Sequence, residues 1–205
     1  MKLKLNELEE ALQNPAEFRM KLAKRAQNIR TDYYSASYFM KLRDAIFRYH
    51  KSESEIEGYE YLEDKLAEFK NDLRKQEILE QYNWYVGEYL ASHRVHFRCR
   101  QNISIKLRDD LIISGQVSRL DLKQPSGYEA WIFCGREPED WSQQMRMPLI
   151  QEELAKSELH VGVSEITIGI YVFDKQLIDQ RCYSAEEIAD AHRRLDTLLC
   201  QLGLA

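Results

Sequence analysis

The sequence predicts an α/β protein: a mixed central sheet of about four or more strands flanked by helices, preceded by a helical N-terminal portion. Two observations carry this prediction. Apolar residues recur at helical spacing through the first 93 residues, and the period changes abruptly to two at Arg94. From there the order is three strands, helix, strand, helix, which builds a mixed sheet with helices against it. The chain has 205 residues, 44% hydrophobic and 31% charged, with 8 Gly and 4 Pro. This composition excludes disordered and collagen-like chains and suits one compact unit, read as 1–93 packed on a core of 94–205.

Asn14-Pro15 places a capping side chain before a proline at the first helical position, and Phe18, Leu22 and Ala26 follow on one face. Ser35 is read as the next cap, ahead of Phe39, Leu42, Ile46, Phe47 and Tyr49. A charged pattern from Glu55 to Tyr89, with Gly58 and Gly87 as weak points, gives one or two further helices. Between Val95 and Leu107 the odd positions are mostly apolar and the even ones polar. Strands over Leu111 to Leu122 and Tyr128 to Cys134 complete a meander, with Gln124-Pro125-Ser126-Gly127 as a turn. A helix is expected over Pro138 to Lys156, a buried strand over Glu165 to Phe173, and a helix capped by Ser184 to Leu202.

No apolar run approaches the roughly 18 residues of a membrane span. The charged start, Met1-Lys-Leu-Lys, is unlike a signal peptide, so the expectation is a cytoplasmic protein with no membrane contact. Cys99, Cys134, Cys182 and Cys200 are scattered and read as reduced thiols. Net charge is −5, which argues against non-specific coating of nucleic acid. Residues 94–108, however, hold five Lys and Arg and no acid. On a regular strand Arg94, His96, Arg98, Arg100, Lys106 and Arg108 would share one face, about 6–7 Å apart, near the phosphate spacing of a nucleic-acid strand. Internal pairing of this face with Glu60, Glu63, Asp64, Glu68 and Asp72 is the leading reading; contact with DNA or RNA comes second, and an acidic protein partner third. The tyrosines concentrated before residue 90, Tyr33, Tyr34, Tyr49, Tyr82 and Tyr85 among them, read as core or interface. They allow a homodimer.

Several segments in this order resemble the RecB/Cas4-type branch of the PD-(D/E)XK nuclease superfamily, over nearly the whole chain. Leu12-Gln13-Asn14-Pro15-Ala16-Glu17-Phe18 has the shape of the family's Cys-Pro-x-x-Phe segment, with Asn14 at the cysteine. Arg43 stands where a histidine is expected. Gly115-Gln116-Val117-Ser118 matches Gly-x-x-Asp with Ser118 for the acid, and Trp131 and Phe133 replace the acid and lysine of (Asp/Glu)-x-Lys. Gln144 matches the glutamine of the following helix. The resemblance implies a nuclease scaffold with its catalytic residues substituted. Phosphodiester hydrolysis of this kind needs at least two carboxylates to hold Mg²⁺, and Ser, Trp and Phe offer none. The expectation is therefore an inactive, nuclease-like protein that binds nucleic acid or joins a complex. No Fe–S cluster is expected, because Asn14 replaces the first thiolate and Cys182 and Cys200 are not clustered.

The rival expectation is an active Mg²⁺- or Mn²⁺-dependent nuclease with displaced acids. Asp110, Asp121 and Lys123 form a D-x10-D-x-K string, and Glu129, Glu152 and Glu153 are fallback carboxylates. If residues 111–122 form one strand, Asp110 and Asp121 are roughly 36 Å apart, too far to share a metal. They then read as solvated turn charges. The His93/His96 pair would point to opposite faces, unsuited to one zinc.

Overall fold

Helices form where apolar spacing meets a capping side chain. The computed structural model describes residues 1–26, 37–123 and 125–204. Helix α1 spans Leu8–Gln13 and α2 spans Pro15–Ala26. Asn14 starts α2 as expected, its Oδ1 accepting from the Glu17 amide at 3.2 Å. Helices α3 (Tyr38–Ser52), α4 (Glu55–Leu66) and α5 (Asp72–Ala91) begin at Ser37, Ser54 and Asn71, each accepting from the amide three residues on. Ser37 thus takes the capping role assigned to Ser35, which lies outside the described residues, as do Tyr33 and Tyr34. The break in the long charged pattern falls between α4 and α5, where Asn71 supplies a new cap, and not at either glycine. Gly58 sits inside α4 because a Cβ there would lie 2.0 Å from the Tyr82 hydroxyl.

The first residues are not all helical as expected. Lys2–Lys4 form a strand, β1, parallel to Ile112–Ser114. Strands β2 (Val95–Arg108), β3 (Leu111–Leu122) and β4 (Tyr128–Cys134) form the antiparallel meander. After β4 the chain crosses through α6 (Arg146–Glu153) and a π-helical turn, Leu154–Leu159, into β5 (Ile166–Val172), which is parallel to β4. The helix expected from Pro138 begins only at Arg146, after a short 3-10 turn at Trp141–Gln143. Strand β6 (Leu177–Arg181), also unforeseen, forms a hairpin with β5. Helix α7 (Ala185–Leu202) opens with a Ser184/Glu187 capping box and ends at Gly203 with φ +72°.

The result is an open, mixed six-stranded sheet between helices. Alternation along β5 assigns its two faces: Ile166, Ile168, Ile170 and Val172 join one apolar cluster, Tyr171 and Phe173 the other. The first cluster is mainly aliphatic and includes Leu3, Leu8, Leu149, Leu195 and Leu198 together with Phe18. The second is aromatic and sits under α3, α4 and α5, with Phe47, Tyr82, Tyr85, Trp131 and Phe133. Residues before 93 therefore contribute to the sheet and to both clusters. No described helix is long and apolar enough to cross a membrane.

Candidate nucleic-acid interface

The basic strand face comes out differently from the regular row expected of it. β2 slips register between His96 and Arg98, and Arg100 has φ +55°. Val95 and Phe97 are consequently exposed, and the buried-odd alternation holds only from Gln101 onward. Arg94 turns inward, its Nε donating to Glu129 at 2.9 Å and its guanidinium lying 4.4 Å from the Trp131 ring centre. Lys106 and Arg108 pair with Asp109 and Asp110 at the β2–β3 turn. Only His96, Arg98 and Arg100 remain together. Of the acids expected to cover them, Asp64 pairs with Lys65 and Asp72 with Lys75, and Glu60 and Glu63 line a groove between α4 and α5; Arg100 pairs instead with Asp44 of α3.

Asp121 is a larger correction. It is fully buried in an ion pair with Arg119, not a solvated turn charge. Arg119 Nε donates to Asp121 Oδ2 at 2.9 Å, and its Nη atoms donate to the Tyr85 and Tyr171 hydroxyls. Arg94 donates to the same Tyr171 hydroxyl at 2.8 Å, and Asp121 faces Glu129 across the strands. Burial opposes the Arg119 charge, but Tyr85, Tyr171 and Asp121 more than offset it and its pKa moves up. Burial also raises the Asp121 carboxyl, against the pull of Arg119. His50 donates to or accepts from Tyr85 and stacks on His96 at 4.7 Å. Burial first, then Arg119 and His96, lower its pKa to about 2. Two carboxylates thus meet two guanidiniums, which leaves little for a divalent cation to gain.

The remaining fallback residues do not join them. Asp110 and Asp121 flank opposite ends of one continuous β3. Lys123 donates to Thr167 Oγ1 at 3.2 Å, Glu152 holds Lys156 and His192, and Glu153 ends α6. Among the described residues no three His, Cys, Asp or Glu side chains lie close enough to hold a metal ion. Burial pushes the Cys99 thiol up to about 12 and Cys134 to about 11, making both poor thiolates. Asn14 is engaged as the α2 cap.

A second polar region opens where the sheet divides. β3 pairs with β4 from Leu122 to Arg119 and then parts from it, the Phe133 amide donating to the Ser118 hydroxyl at 3.0 Å. Farther along, β1 takes the edge of β3 that β4 has left. The cleft between them, about 990 Å³, is lined by Lys2, Lys4, Arg25, Arg43 and Arg146 together with Asn102, Gln116, Ser118 and Phe133. No Asp or Glu is among its described lining residues. Glu7 takes both arms of Arg25 from behind. Arg43 Nε is buried without a hydrogen-bond partner among the described residues. Arg146 Nε donates to Gln144 Oε1 at 2.9 Å, and burial lowers its pKa. Three residues singled out in the sequence, Arg43, Ser118 and Phe133, therefore share one cleft, with Gln144 behind Arg146. Trp131 is buried in the aromatic layer, where Gly169 on β5 leaves room for its ring.

A shallower groove of about 810 Å³ lies beside the cleft between α3, α4 and β2, lined by Arg48, Lys51, Arg98 and Arg100, the acids Asp44 and Glu57, and Phe47, Tyr61 and Phe97. The sequence reading missed Lys2, Lys4, Arg25 and Arg146, because only the fold brings them together. The acid-free, basic stretch at 94–108 is a signal for the groove but not for the cleft.

Comparison with known proteins adds little. No protein-family model matches the chain, and no curated protein matches it. Among solved structures it is similar to one titled "Crystal structure of SSO0001", at 10% identity, covering 90% of this chain and 84% of that one, with a TM-score of 0.36.

Proposed function

We propose that this protein binds nucleic acid through the cleft at the sheet divide, as a nuclease-like subunit without hydrolytic activity, metal or Fe–S cluster. The observation that carries the reading is a cleft lined by Lys2, Lys4, Arg43 and Arg146, with Arg25 held by Glu7 behind them and no carboxylate among its described lining. Such a site attracts phosphodiesters and repels the divalent cation that hydrolysis would require. Ser118, Trp131 and Phe133 fit this reading: a neutral hydroxyl bonded to the backbone and two packed rings provide neither metal ligand nor proton acceptor. A role in complex formation is favoured separately by exposed Ile56 and Leu90 beside the α4–α5 groove.

The test is fluorescence anisotropy with labelled DNA and RNA over a salt series, using wild type and Lys4→Glu/Arg43→Glu. Wild type is expected to bind with an affinity that falls as salt rises, and the double variant to lose about tenfold or more, as for two lost phosphate contacts. Equal affinity in the two proteins, or cleavage of the probe on adding Mg²⁺ or Mn²⁺, refutes the reading.

A further inference from the structure

We infer that the cleft and the adjoining groove form one binding track with Asp44 as a counter-ion at its waist, so that the preferred ligand is a polynucleotide long enough to occupy both. This deepens the nucleic-acid reading above and rests on it.

The two depressions are walled by the same two elements, α3 and β2. On α3, Arg43 lines the cleft, and Asp44, Phe47, Arg48 and Lys51 line the groove. On β2, Asn102 and Ser104 line the cleft, and Arg98 and Arg100 line the groove. Phe47 forms the divider, with the Arg43 guanidinium 5.9 Å and that of Arg100 4.4 Å from its ring centre. An arginine from each side thus rests on one ring, and the distance from one cationic set to the other is a single aromatic side chain. The left-handed backbone at Arg100 accompanies this placement against α3.

Asp44 sits at that point. Its Oδ1 accepts from Arg100 Nη2 at 2.6 Å, with both side chains partly open to solvent. A phosphate passing from cleft to groove comes beside the Asp44 carboxylate and competes with it for the Arg100 guanidinium. Asp44 therefore weakens any ligand that crosses the waist and leaves one confined to the cleft unaffected. A single phosphate or a very short oligonucleotide fills only one set of cations, whereas a longer strand neutralises both.

The experiment compares oligodeoxythymidylates of about 4 and about 12 nucleotides, a range within the site sizes of single-strand binders. Binding is read by anisotropy, and circular dichroism checks folding. Arg48→Glu/Arg98→Glu is expected to weaken the longer probe about tenfold, to flatten its salt dependence, and to leave the shorter one unchanged. Asp44→Asn is expected to tighten the longer probe about threefold and not the shorter one, the scale of one exposed ion pair. This second variant keeps the test decisive if the reversed charges disturb folding. An unchanged affinity of the longer probe in Asp44→Asn, or equal effects on both lengths, overturns the track and leaves the cleft reading standing. Failure of wild type to bind either probe overturns both.

Discussion

The aromatic layer and the cleft are both rich in arginine, yet they treat its charge in opposite ways. Arg119 and Arg94 are enclosed and matched, each with a carboxylate, and with Tyr171 between them. Arg43, Lys2, Lys4 and Arg146 line a cleft that has no acid among its described lining. A cation that the fold neutralises belongs to the architecture; one left facing open space is available to a ligand. What separates the two groups is a carboxylate partner, which Arg119 and Arg94 have in Asp121 and Glu129.

The comparison is broken most directly at Arg119. Arg119→Met leaves Asp121 buried without its partner and is expected to cost roughly 3–5 kcal/mol in urea unfolding, while Lys2→Met in the cleft stays within about 0.5 kcal/mol. Similar costs at the two sites would erase the distinction. Acid should act on the same layer through His50. Its pKa is lowered to about 2 in the folded protein, so between that value and the ordinary 6.5 the unfolded chain holds the extra proton and folding stability falls as pH falls. The expected slope approaches about 1.4 kcal/mol per pH unit below about pH 6, with His96, lowered in the same direction, adding to it. The raised Asp121 pKa works the opposite way, nearer the carboxylate range, so denaturation is best followed between about pH 7 and about pH 5. A flat profile there would mean that His50 accepts its proton in place.

Gly169→Ala sharpens the contrast on a smaller scale. Its Cβ would lie 2.3 Å from the Trp131 ring, and the strain is expected to cost about 1–3 kcal/mol in thermal or urea unfolding. Ser118→Ala is the mildest change. The Phe133 amide loses its acceptor, for about 1 kcal/mol, and nucleic-acid affinity should stay put because the hydroxyl serves the backbone. An affinity change in Ser118→Ala would show that the hydroxyl also meets the ligand.

Much of the fold could be read from local chemistry. The bounds of β3 and β4 follow from the Arg-Asp-Asp and Pro-Ser-Gly turn residues that flank them, and α7 from its Ser184 cap. What escaped was non-local. Lys2–Lys4 is too short to show a period, and it is a strand only because β3 offers it a free edge. The row of charges on β2 failed because a register slip and one left-handed residue re-aim Arg94 and Arg100, neither of which a composition pattern records. Asp121 looked like a turn charge because its partner, Arg119, points into a layer whose walls come from α5 and β5. For the candidate site, Arg43, Ser118 and Phe133 were flagged as substitutions, and only the divided sheet shows that they meet in one place.

The pairing of β1 with β3 has a consequence for how the molecule assembles. Leu3 meets Ile113, so this contact closes a loop of more than half the chain, and non-local contacts of that kind form late and slowly. Lys2 and Lys4 enter the cleft wall with that strand. The meander can zip up from its own turns, but the cleft is finished only when the two distant segments find each other.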